Sequence, residues 1–173
     1  MKNNWSDIEA KKYIRKYIKL GHSKDMALRV YTTRLLGRNK ELVLHGGGNT
    51  SVKIKTKDID GKIYDVLCVK GSGWDMAEIE PQGLPAVKLN PLLSFKNKKY
   101  LSDDDMVSFQ KRNLINSKSP NPSVETFLHA FLPHKFVDHT HSDAIMNLTN
   151  RSNGIELCKK TFGAKVGIVP YVC

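Results

Sequence analysis

The chain has 173 residues, 40% hydrophobic and 26% charged, the balance of a water-soluble globular domain that buries about 70% of its unfolded surface. No apolar run reaches the length of a membrane span, and "MKNNWSDIEAKK" lacks the apolar stretch of a secretory signal, so no membrane partner is expected. The net charge is +11, and residues 1–40 carry +8 of it (11 Lys/Arg against 3 Asp/Glu), but neither aromatic interleaving nor a recognition motif accompanies that charge, which argues against nucleic acid.

In chain order, Ser6 and Glu9 have capping-box spacing ahead of Ala10, Ile14, Tyr17 and Ile18, which predicts a helix ending at Gly21. Lys12, Arg15, Lys16 and Lys19 would share its solvated face. Ser23 caps a second expected helix, with Leu28, Tyr31 and Leu35 on one side and Gly37 as its stop. "ELVLH" and "SVKIKT" then read as strands around a glycine run, and "DIDGKIYDVLCV" as a turn leading into a third. Gly and Pro punctuate residues 71–101, where only "AVKLN" suggests a strand. "SDDDMVSFQKRNL" is a helix capped by Ser102, with three acids in the first turn, where the helix dipole favours them. "VETFLHAFL" is a short helix, "KFVDHTH" a strand and "NGIELCKKTFG" a helix closed by Gly163. "AKVGIVPYVC" opens a further strand, and a terminus inside an apolar run reads as the front part of a longer protein. The three cysteines show no metal-type spacing and read as reduced thiols, hence a cytoplasmic location.

Three features carry chemistry. His139 and His141 alternate on a strand, so both would project to one face, where neutral imidazoles can share a metal ion; a strand end with incidental histidines is the competing reading. Asp143 is either a further ligand or the cap of a following helix. Glu125 stands in the first turn of a short helix, where the dipole alone accounts for a carboxylate, and His129 one turn on reads as a satisfied, semi-buried histidine. "HGGGNTS" and "KGSGWD" follow strand-like segments, and exposed backbone amides in such loops can cradle phosphate; a plain flexible turn explains three glycines equally well.

The order of these features is more specific than any one of them. "GGGNTS", "KGSG", "PSVETFLHAFLP" and "VDHTHSDA" resemble the successive motifs of the class II aldolase/adducin family over nearly the whole chain. "LHGGGNTS", "VKGSG" and "HAFLPHKFVDHTHSDA" are most similar to the N-terminal part of bifunctional rhamnulose-1-phosphate aldolase/short-chain dehydrogenase proteins.

The resemblance implies an α/β sandwich with a mainly antiparallel central sheet and helices on both faces, truncated at its C-terminus. Residues 6–37 would form a helical lead-in and residues 41–173 the catalytic sandwich. It implies His139 and His141 as zinc ligands (or ligands of another divalent metal) and Glu125 as catalytic acid/base. Gly48, Asn49, Ser72, Gly73 and Ser123 would hold a phosphorylated sugar. Val124 stands where the compact aldolases carry a second serine. The family's third metal histidine falls beyond Cys173, and His22, His45, His129 and His134 do not occupy that place. The implied reaction is retro-aldol cleavage to dihydroxyacetone phosphate and lactaldehyde, by a homo-oligomer. NAD enters only with a dehydrogenase domain beyond this chain. Epimerisation or dehydration on the same site, and a non-catalytic adducin-like module, are the alternatives.

Overall fold

A computed structural model describes residues 3–98 and 100–170. Helix α1 (Asp7–Lys19) and helix α2 (Lys24–Gly37) form an antiparallel pair, capped by the side chains of Ser6 and Ser23. The expected capping box is only half made. Ser6 Oγ accepts from the Glu9 amide, but the Ser6 amide donates to the Tyr31 hydroxyl, and the Glu9 carboxylate pairs with Lys12. Lys16, exposed on the face expected to be solvated, also joins Tyr17 and Arg34 around Glu80.

Strand β1 (Asn49–Lys57) turns through Gly61, which has a positive φ of 82°, into β2 (Ile63–Val69). Next come β3 (Ala86–Lys88), α3 (Leu89–Leu93), α4 (Asp103–Arg112), α5 (Thr126–Phe131) and β4 (Phe136–His139). Helices α6 (Asp143–Thr149) and α7 (Gly154–Phe162) follow, and a single 3-10 turn (Gly163–Lys165) comes after them. The sheet order is β3-β2-β1-β4, and every pairing is antiparallel.

Alternation along the strands sorts their side chains to two faces. Val52, Val66 and Cys68 point to the rear, where Tyr17, Met26, Ala27 and Val30 of the first two helices cover them. Leu67, Val69 and Val87 point forward against Leu92 of α3 and Ala130 of α5. The mixed α/β sandwich with helices on both faces is therefore observed. On β1 the same rule sends Asn49, Ser51 and Lys53 to the front: Ser51 bonds His129, and Lys53 caps the Leu132 and His134 carbonyls at the end of α5.

Four expectations need correction. "ELVLH" is not a strand, because its amides are used in local turns: Leu42 and Val43 bond the Asn39 carbonyl, and Gly47 bonds that of Leu44. "KFVDHTH" is a strand only as far as His139; the His141 amide leaves the ladder for the Leu42 carbonyl. Residues 166–170 form no strand, and 171–173 lie outside the described residues. The buried positions of α2 are Met26, Ala27, Arg29, Val30, Tyr31 and Thr33, whereas Leu28 and Leu35 are only half-buried. Two short helices, α3 and α6, had no sequence expectation.

Gly37 ends α2 for a packing reason. A Cβ there would lie 2.3 Å from the Ala77 amide nitrogen and 2.4 Å from the Met76 carbonyl carbon, both backbone atoms unable to swing aside. Alanine ordinarily favours a helix over glycine, so sterics and propensity oppose each other at this position. Sterics should win: Gly37→Ala is expected to destabilise by about 1–3 kcal/mol in urea unfolding. Unchanged or raised stability would show that α2 and the 76–77 segment are not tightly apposed.

Candidate active site

Glu125 sits immediately before α5 rather than in its first turn, with φ −81° and ψ 4°, the bridge region of backbone space. Its carboxylate is held from three sides. Oε2 accepts from Asn49 Nδ2 at 2.7 Å and from Ser123 Oγ at 3.3 Å, and Oε1 lies 3.1 Å from His139 Nδ1. The His139 imidazole foremost, then Asn49 and Ser123, pull the Glu125 pKa down to about 2 against the opposing effect of burial. Glu125 is thus a carboxylate at neutral pH. Its burial does not raise it towards neutrality, as a simple general acid would require.

His129 is fully buried. Its Nδ1 shares a 2.8 Å hydrogen bond with Ser51 Oγ, and burial lowers its pKa to about 4, so the ring is neutral. Its Nε2 has no hydrogen-bond partner among the described residues, so His129 is not the satisfied histidine expected from sequence. His139 Nδ1 is likewise buried without an aligned bond, because its approach to Glu125 is close but poorly directed. One donor atom from each of Glu125, His129 and His139 falls within 4.8 Å of the others. A carboxylate oxygen and two imidazole nitrogens, with orphaned ring nitrogens among them, fit a divalent cation. His141 lies outside that group: it is exposed, and its ring centre is 4.8 Å from that of His139. Asp143 opens α6 behind its cap Ser142.

The first glycine loop abuts the histidines. A Cβ on Gly48 would come within 2.9 Å of the His139 carbonyl oxygen, and one on Gly47 within 3.3 Å of His141 Nδ1. Positive φ at His45, Gly46 and Gly48 carries the backbone through this bend. The second loop does not offer all the amides expected of it, since Gly71 and Ser72 bond the Gly83 and Asn121 carbonyls. Ser72 and Gly73 are exposed, and the Gly73 amide has no acceptor among the described residues. Asn49 and Ser123, read from sequence as phosphate contacts, have their side chains on Glu125. The buried Lys70 ammonium donates to the Gly46 and Trp74 carbonyls, tying the two loops together. Cys68, buried and pushed up to about 12, is no nucleophile.

Sequence reasoning placed Lys70 beside the second loop but gave it no role, and it passed over Arg29, whose guanidinium is buried behind β1 and β4. Arg29 lies in no motif, and Lys70 opens the KGSG motif without any sign of what its ammonium touches. A lone basic residue in an amphipathic helix or after a strand carries no mark of its burial.

Residues 27–173 match the class II aldolase and adducin N-terminal domain, and the chain belongs to that family. It is similar to the N-terminal class II aldolase domain of a conserved protein from Thermoplasma acidophilum, at TM-score 0.84 and 38% identity, over 99% of this chain and 74% of that one. It is also 40% identical over 143 residues to the Uncharacterized oxidoreductase YuxG of Bacillus subtilis (strain 168). That match takes in 83% of this chain but spans only 21% of YuxG. No helix among the described residues is long and apolar enough to cross a membrane.

The two perturbed groups give acid sensitivity in separate windows. Unfolded, His129 takes up its proton near the ordinary value of 6.5, but folded only near 4, so stability falls as pH drops through that range. Glu125 gives a second loss, from its ordinary 4.5 down to about 2. In chelator-treated protein, His129→Gln should flatten the fall in melting temperature between about pH 6.5 and 4, and Glu125→Gln the fall below it. Curves parallel to wild type in both windows would contradict these environments.

Proposed function

We propose that this domain cleaves a ketose 1-phosphate of the rhamnulose-1-phosphate type, in a retro-aldol reaction that yields dihydroxyacetone phosphate and lactaldehyde. The observation that carries the proposal is the convergence of the Glu125 carboxylate and the His139 and His129 imidazoles beside two glycine loops. Those three residues, with His141 at the rim, would hold Zn²⁺ or another divalent ion. When bound, such an ion acts as a Lewis acid for the negative charge left by C3–C4 cleavage.

The chain's own groups account for the remaining requirements. Glu125 arrives ionised, so it acts first as a proton acceptor, taking the proton of the C4 hydroxyl as the carbon–carbon bond breaks, and then returns it to the carbon left behind. Its low pKa depends most on His139, so a turn of that imidazole to another partner makes the carboxylate a stronger base. Asn49 and Ser123 hold Oε2 and thereby leave Oε1 beside His139, the last residue of β4. In this reading the exposed Ser72 hydroxyl and Gly73 amide would receive the phosphate, with the Gly48 backbone on the other glycine loop. Lys70 beneath both loops adds positive charge. Anchoring the phosphate end fixes the distance of the reacting carbon from Glu125.

The short span of YuxG that this chain matches, and the word oxidoreductase in that protein's name, support a longer bifunctional parent whose NAD-dependent dehydrogenase lies outside these residues. We further take the protein to be a cytoplasmic homo-oligomer.

Release of dihydroxyacetone phosphate from rhamnulose 1-phosphate, measured with a coupled reductase, separates cleavage from epimerisation or dehydration. Glu125→Gln should lower kcat by about 10²- to 10⁴-fold. Chelation should abolish turnover, and added Zn²⁺, Co²⁺ or Mn²⁺ should restore it. A Glu125→Gln protein with wild-type turnover would end the proposal.

A further inference from the structure

Arg29 is buried completely in the middle of α2, on the side of the sheet opposite the active site. Five acceptors surround its guanidinium. Nε donates to Thr33 Oγ1 at 3.2 Å, Nη1 to the Ser51 and Val137 carbonyls at 3.1 and 3.3 Å, and Nη2 to Thr32 Oγ1 and Asp138 Oδ1 at 2.6 and 2.5 Å. Ser51 and Val137 are register partners on β1 and β4, so one nitrogen spans both strands at a single rung. The Phe136 ring packs against the same guanidinium.

Strand β4 needs such a device. Its ladder to β1 covers only four pairs, from Asn49↔His139 to Val52↔Phe136. Its sequence, Phe-Val-Asp-His, offers a single apolar residue to each face, too little for hydrophobic pattern alone to set the register. A one-residue slip would carry His139 to the rear and Asp138 to the front. A two-residue slip would keep the faces but put Phe136 or Thr140 where Asp138 meets the guanidinium. Only the observed register gives Arg29 its carboxylate, and a buried guanidinium cannot be left unpaired without large cost.

We infer that Arg29 is a positioning residue, whose buried fork and Asp138 partner lock β4 in the one register that sets His139 beside Asn49 and Glu125. The inference rests on the reading of Glu125 and His139 as functional groups, but it concerns the strand behind them rather than the chemistry.

The test uses the full chain, with Co²⁺ alone as probe and NMR contacts across the Asn49–His139 pair as a readout independent of metal. Arg29→Gln should weaken Co²⁺ binding about 10- to 100-fold, alter the cobalt visible spectrum and lose the cross-strand contact. Asp138→Asn, which removes a half-exposed carboxylate, should do the same to a smaller extent. Arg29→Lys should rescue part of the loss, since an ammonium can meet Asp138 but cannot fork across two strands. Val30→Ala, in the rear core on the same helix, should lower the melting temperature while leaving Co²⁺ affinity and the contact intact. If Arg29→Gln does not fold, Asp138→Asn decides, and an unchanged contact in that variant overturns the inference. So does a Val30→Ala protein that loses Co²⁺ as severely as Arg29→Gln. Failure of the wild-type chain to bind Co²⁺ would count against the metal reading alone, because the cross-strand contact still decides the role of Arg29.

Discussion

The short antiparallel ladder between β1 and β4 sets the geometry of everything in front of it. Each residue on those strands faces either the helical pair behind or α5 ahead, and neighbours in sequence face opposite ways. Asn49, Ser51 and His139 therefore meet Glu125 and His129, while Thr50 and Asp138 turn back towards Thr33 and Arg29. The same alternation that buries Val52 and Val66 in the rear core presents the polar groups at the front. Core and site are two sides of one pleat.

Close backbone approach is the second constraint. Gly47 and Gly48 let the loop before β1 lie against His141 and the end of β4, where side chains would intrude. Lys70 then joins that loop to the one after β2, so two loops share a single buried cation. Burial lowers the Lys70 pKa, while nearby Glu125 and Asp75 favour its charge. The carboxylate and the ammonium thus belong to one electrostatic arrangement, formed where the ends of β1, β2 and β4 come together.

Electrostatics also divide the work among the titratable groups. Glu125 and His129 are one helical turn apart, yet their environments act in opposite senses on charge. Hydrogen-bond donors keep Glu125 anionic, whereas burial keeps His129 neutral. An anionic oxygen beside the neutral His129 ring and the His139 imidazole forms a donor set suited to a cation. Arg29, behind the sheet, is spent on Thr32, Thr33, Asp138 and the strand carbonyls.

What the sequence determined by itself were the features that depend on near neighbours in the chain. The caps Ser6, Ser23 and Ser102, the turn at Gly61 and the stop at Gly163 follow from local hydrogen bonds and backbone angles. The order of the glycine loops, Glu125 and the paired histidines was enough to indicate the family, because that order survives without coordinates. Tertiary structure decided what each side chain touches. "ELVLH" has a strand's composition, but its Leu42 and Val43 amides close a turn on Asn39, and its Leu44 and Leu42 carbonyls accept from Gly47 and from the distant His141. Asn49 turned to Glu125 across 76 positions and Ser51 to His129 across 78, and His129 Nε2 has no partner among the described residues, because contacts so distant in the chain leave no local pattern. Arg29 is the clearest case. In the sequence it is one basic residue among many, and only the meeting of α2 with β1, 22 positions on, and β4, 108 positions on, makes it a buried clamp.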